Sequence, residues 1–118
     1  MSAKKPSEFE RLNHIVEAID RIFKFVEEMG FNDFSTNEMA QFAVIKNFEI
    51  IGEAAYKLPK DFHEKYDKIE WRKIIAFRHI LVHDYYKINP EIVWNAIENK
   101  LMNLKVEIET IQEQSNRT

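Results

Sequence analysis

Residues 77–86, FRHILVHDYY, place an arginine, two histidines, an aspartate and two tyrosines within ten positions. The interleaved Phe77, Ile80, Leu81 and Val82 are apolar enough to belong to a core. Histidine titrates near neutrality, so it can take a proton from a ribose 2′-hydroxyl and make that oxygen a nucleophile toward the adjacent phosphorus. Arginine stays charged and can grip phosphoryl oxygens in bidentate fashion as negative charge builds on them. Tyrosine brings a hydroxyl and a ring face on which an unpaired base can stack. A set made of Arg78, His83 and Tyr85 therefore suffices for RNA cleavage without metal or cofactor.

Each of these residues also has an ordinary structural use. His83 near a helix C-terminus gains about 0.3–1 kcal/mol from the helix dipole. Arg78 can pair with a carboxylate of a neighbouring helix, and Tyr85 and Tyr86 can cover the end of a bundle with their hydroxyls in water. What those uses leave unexplained is the concentration of all these groups in one place. His79 and His83, four apart, share a helical face in the manner of two zinc ligands. Asp84 is adjacent, but no glutamate completes an H-E-x-x-H arrangement, and a catalytic zinc needs three protein ligands. No metal site is expected. Arg78 and His83, five apart, diverge by about 140° on an ideal helix. They converge only if the helix ends near His83 or if two copies of it face each other.

The elements that must hold this stretch are helices. Ser7 and Glu10 form a capping box for a first helix, with Gly30 as its C′ residue. Phe9, Leu12, Val16, Ile19, Phe23 and Val26 make one apolar stripe on it, widened by Ile15, Ile22 and Met29. Ser35 and Glu38 open a second helix that reaches about Leu58 and stops at Pro59. Its apolar residues go most of the way round, which predicts burial on more than one side. Residues 60–68 hold one short helical turn. A third helix runs from about Ile69 to about His83. Asn89-Pro90-Glu91 caps and opens a fourth, with Trp94, Ile97, Leu101, Leu104, Ile108 and Ile111 on one face. The spacing predicts an all-α, antiparallel four-helix bundle with a short extra turn, a single domain over 1–118, and frayed tails at 1–6 and 113–118.

Composition narrows the function classes. Only two glycines and three prolines occur in 118 residues, which disfavours a β-sandwich. No apolar run is long enough for a membrane span, and MSAKKPSEFERL lacks the apolar core of a secretory signal. The absence of cysteine excludes disulfides and thiolate metal sites and suits a cytoplasmic protein. The net charge is −3, yet residues 56–90 hold eight Lys/Arg against five Asp/Glu, so an anion site around the 77–86 stretch is compatible with an acidic chain.

Arg78-x4-His83-x-Tyr85, with polar His79 after the arginine, resembles the Arg-x4-His-x-Tyr signature of HEPN-domain ribonucleases, and specifically the HepT toxin branch. "IIGEAAYKLP", "IEWRKIIAFRHILVHDYYKIN" and "PEIVWNAI" with Trp94 look like the same branch, so the likeness runs from about Ser7 to Leu104. The resemblance implies a helical homodimer whose two signatures meet in one cleft. It implies a toxin that cuts RNA, paired with a cognate minimal nucleotidyltransferase antitoxin in a type VII-like toxin–antitoxin system. The antitoxin of such a pair would transfer AMP to Tyr85, although Tyr86 offers an adjacent hydroxyl. Glu53 is a candidate partner for Arg78, with Gly52 permitting close helix approach. The competing expectation is a non-catalytic HEPN subunit that only scaffolds the nucleotidyltransferase.

Overall fold

The computed structural model describes residues 7–116, the side chains of Tyr85 and Asn116 apart. It is helical, with no strand among those residues: α1 Glu8–Val26, α2 Phe31–Ser35, α3 Glu38–Lys57, α4 Lys60–Lys65, α5 Trp71–His83, a 3-10 turn Tyr85–Lys87, α6 Pro90–Asn99 and α7 Leu101–Asn116. The four expected helices are present as α1, α3, α5 and the pair α6–α7. The last of these continues to Asn116, so residues 113–116, expected to fray, are helical. The tails at 1–6 and 117–118 lie outside the described residues.

Ser7 caps α1 as its spacing predicts, its Oγ accepting the Glu10 N–H at 3.1 Å. Gly30 does not end that helix. α1 stops at Val26, and Gly30, at φ −93°, begins α2 with its N–H donating to the Asp33 carboxylate at 3.0 Å. Ser35 does not open the next helix either. It is the last residue of α2, its hydroxyl donating to the Asn32 carbonyl, and Asn37 caps α3 by accepting the Ala40 N–H at 3.0 Å. Both differences have one cause: Phe34 is fully buried, and a short helix between α1 and α3 is what carries it inward.

α3 is the central element, packed against α1 and also against α5, which accounts for its all-round apolar pattern. α7 lies along α1. The α1 residues withdrawn from water are Leu12, Ile15, Ile19, Ile22 and Val26, whereas Phe9 stays half exposed. Each buried Leu or Ile contributes about 1.5–3 kcal/mol, well above a surface ion pair at about 0.2–1 kcal/mol. Most of the wide apolar stripe of α1 is therefore buried inside one chain. The polar group buried between α1 and α3 is satisfied: Asn47 Oδ1 accepts Arg21 Nε–H, and its amide donates to the Ala43 carbonyl.

α5 has no side-chain cap at its start, but its first residue is pinned. Trp71 donates its indole N–H to the Tyr66 carbonyl at 3.0 Å and stacks on His63 at 4.9 Å between ring centres. His63 in turn hydrogen-bonds the Ala55 carbonyl of α3 at 2.8 Å, so α4 acts as a strut that fixes α5 relative to α3. A break at Lys100 separates α6 from α7. α6 turns over α2, where Trp94 packs on Phe34 at 5.3 Å, while α7 follows α1. No glycine or proline marks that break; the two halves bury their faces against different partners.

Candidate active site

Arg78 stands on the face of α5 turned toward α3, with 31% of its side chain exposed. Its Nη2 meets Glu53 Oε2 at 2.7 Å, a charge-assisted contact, and Lys57 approaches the other Glu53 oxygen at 3.5 Å. The contact depends on Gly52. A methyl group built there would overlap the Arg78 Cβ and stand 2.8 Å from its Cγ and 2.9 Å from its Cδ, so only glycine lets the arginine stem lie against α3. Phe48 and Phe77, edge to face at 5.2 Å, close the helix pair beside this point. Arg78 Nε is buried and has no hydrogen-bond partner.

His79 and His83 sit exposed on the outer side of α5, their ring centres 4.3 Å apart. His83 is the last residue of the helix. Among the described residues no group of three potential ligands gathers that could hold a metal. Asp84 ends the helix, its N–H donating to the Ile80 carbonyl at 2.8 Å, and is exposed. The backbone of Tyr85 opens the 3-10 turn immediately after it; the Tyr85 side chain lies outside the described residues. Tyr86 is exposed and lines a groove with Phe42 of α3 and Ile88.

The structure thus brings Glu53 and Arg78 together and His79 and His83 together, and it makes no hydrogen bond or ion pair between Arg78 and His83. The guanidinium points at α3 and the imidazoles outward, as the five-residue spacing requires. Sequence reasoning passed over Arg11, His14 and Lys46, which line one groove with Glu53 and Arg78. They are far apart along the chain, so no local spacing could reveal them.

A family model for HepT-like ribonucleases matches residues 15–111. The provisionally named ribonuclease HepT of Thermococcus cleftensis is 35% identical over 108 residues, which cover 92% of this chain and 98% of that protein. A provisionally named RNase of Methanocaldococcus jannaschii is 40% identical over 100 residues, 85% of this chain and 83% of that protein. A second protein of that organism, named for a gamma-glutamylcyclotransferase and an RNase together, is 38% identical over 103 residues; the chain spans 46% of its length. No solved structure matches the chain with significance. The family match, these relatives and the helical architecture agree, and the chain belongs to the HepT-like ribonuclease family.

Proposed function

We propose that the protein is a metal-independent endoribonuclease and the toxin of a toxin–antitoxin pair acting in the cytoplasm. The observation that carries the reading is the Glu53–Arg78 contact: a guanidinium held in a fixed orientation, half-buried, on the helix that ends in His83. His83 takes the proton of a ribose 2′-hydroxyl. The 2′-oxygen forms a bond to the adjacent phosphorus as the bond from phosphorus to the 5′-oxygen breaks. Arg78 stabilises the charge on the phosphoryl oxygens, and an imidazolium returns a proton to the leaving 5′-oxygen. The products are a 2′,3′-cyclic phosphate and a free 5′-hydroxyl.

A homodimer completes the site. One chain turns Arg78 toward α3 and His83 outward, and two copies of α5 facing each other supply both groups to one cleft. Exposed Ile80 and Val82 beside the signature give such a contact apolar surface. AMP transfer to Tyr85 by a nucleotidyltransferase antitoxin silences the toxin by placing a bulky phosphodiester at the helix end.

Cleavage of a labelled RNA in the presence of EDTA tests the catalytic reading. His83→Ala and Arg78→Ala should each lower the rate by at least ~10²-fold, and His79→Ala much less. Loss of activity in EDTA with recovery on adding zinc, and His79 as important as His83, would replace it with metal-assisted hydrolysis. No cleavage by the wild-type protein, with tight binding to a nucleotidyltransferase, would make the chain a scaffold.

A further inference from the structure

A groove of about 240 Å³ joins the Glu53–Arg78 pair to Arg11 and His14 of α1 and to Lys46 of α3. Three helices build it. Arg11 and His14 are three apart and share a face of α1, and Lys46 and Glu53 are two turns apart on α3. Among the described residues Arg11 and Lys46 make no ion pair, although Lys57, Lys60, Lys73 and Lys105 each find a carboxylate. His14 makes no hydrogen bond there either. Arg11, Lys46 and Arg78 bring three fixed positive charges against those of Glu49 and Glu53, so the groove is locally positive on a chain of net charge −3. Unneutralised cations lining one groove repel one another, and an anion lying in it relieves that repulsion. The space is smaller than the roughly 300–1,000 Å³ of small-molecule pockets, which suits a backbone track better than an enclosed ligand.

We propose that Arg11, His14 and Lys46 form a phosphate subsite that holds the backbone of single-stranded RNA beside the phosphate gripped by Arg78. The inference rests on the ribonuclease reading, because a strand with its scissile phosphate at Arg78 must run its neighbouring phosphates through space continuous with that guanidinium. Arg11 and Lys46 supply charge, and the His14 ring supplies a hydrogen bond. The subsite binds and does not take part in bond breaking.

The test is binding of a fluorescently labelled single-stranded oligoribonucleotide by His83→Ala protein, measured by anisotropy over a range of salt concentrations. Adding Arg11→Gln and Lys46→Gln together should raise Kd about tenfold or more at low salt. It should also reduce the slope of log Kd against log salt by about 1.4, or about 0.7 for each lost phosphate contact. His14→Ala should raise Kd about fivefold, as expected for one hydrogen bond. Arg11→Lys with Lys46→Arg keeps both charges and should restore most of the affinity and the slope. An unchanged Kd and slope in the Gln pair would overturn the subsite, as would a loss of affinity that only follows an altered sedimentation coefficient. If wild-type protein cuts RNA while the Gln pair binds normally, the subsite alone fails. If wild-type protein cuts no RNA but the Gln pair loses affinity and slope, the subsite stands and the ribonuclease reading fails.

Discussion

Glu53 on α3 holds Arg78 on α5 through an Oε2–Nη2 contact of 2.7 Å, and Gly52, the residue before Glu53, is where the Arg78 stem touches α3. Two consecutive residues of one helix thus set both the position and the orientation of one guanidinium on another. The glycine determines how near α5 comes, and the carboxylate determines which way the fork turns. Four expectations follow from this arrangement and from its surroundings.

Gly52→Ala should destabilise the fold by about 1–3 kcal/mol, the usual cost of overpacking a filled contact. Alanine is the better helix former by roughly 0.5–1 kcal/mol, but that gain is smaller than the cost of moving Arg78 Cβ, which is attached directly to the α5 backbone. Urea denaturation checks this, with Gly30→Ala as the control. A methyl group there meets nothing nearer than Asp33 Oδ2 at 4.0 Å, and the change should stay within about 1 kcal/mol. A Gly52→Ala protein as stable as wild type would mean that α3 and α5 can separate freely.

Glu53→Gln should leave the fold nearly as stable, because a partly exposed ion pair contributes at most about 1 kcal/mol. RNA cleavage should nevertheless fall about tenfold in kcat with KM little changed, since a neutral amide holds the fork less firmly than a carboxylate. Steady-state kinetics beside thermal unfolding separates the two effects. Parallel loss of stability and activity would assign Glu53 a purely structural role.

Tyr85→Phe should escape inactivation by a cognate nucleotidyltransferase and ATP while retaining much of the RNase activity. An adduct at ~5 Å from an RNA phosphate, at an effective dielectric of ~20, repels it by roughly 3 kcal/mol, about a hundredfold in binding. Mass spectrometry of the treated wild-type protein should find AMP on Tyr85. An adduct confined to Tyr86, or none while toxicity is still neutralised, would count against this mode of control.

Lys105 of α7 donates to Asp20 of α1 at 2.8 Å, and that hydrogen bond, helped by the Asp20 charge and against the cost of desolvation, raises the ammonium pKa above its ordinary value. A raised folded-state pKa means stabilisation that is fully present below the unfolded value of about 10.4 and is lost as pH rises through the folded one. At neutral pH, Lys105→Met should be less stable than wild type by about 0.5 kcal/mol. On the alkaline side of that raised folded-state pKa the difference should close. Denaturation curves for both proteins at the two pH values give the comparison; a gap that persists at high pH would attribute it to packing.

The signature residues were legible because they lie within one helical turn or two of each other, and local spacing is something a linear chain displays. The same holds for the Ser7 and Asn89 caps, the stop at Pro59 and the end of α5 at His83, each fixed by interactions between near neighbours. The caps around Gly30 and Ser35 were misassigned because α2 exists to bury Phe34, a tertiary demand with no local mark. The break at Lys100 has the same origin, α6 and α7 serving different partners. Charge counting placed the basic surface in residues 56–90, yet the groove at Arg78 draws Arg11 and Lys46 from residues 1–55, where ten Asp/Glu outnumber six Lys/Arg. The sequence by itself determined the long helices α1, α3 and α5, the grouping of chemical types at 77–86 and the family. Only the packing of α1 and α5 against α3 decided which stripe of α1 is core, which carboxylate meets Arg78 and which distant cations share its groove. Those are contacts between residues tens of positions apart, and they arise when helices bury their apolar faces together.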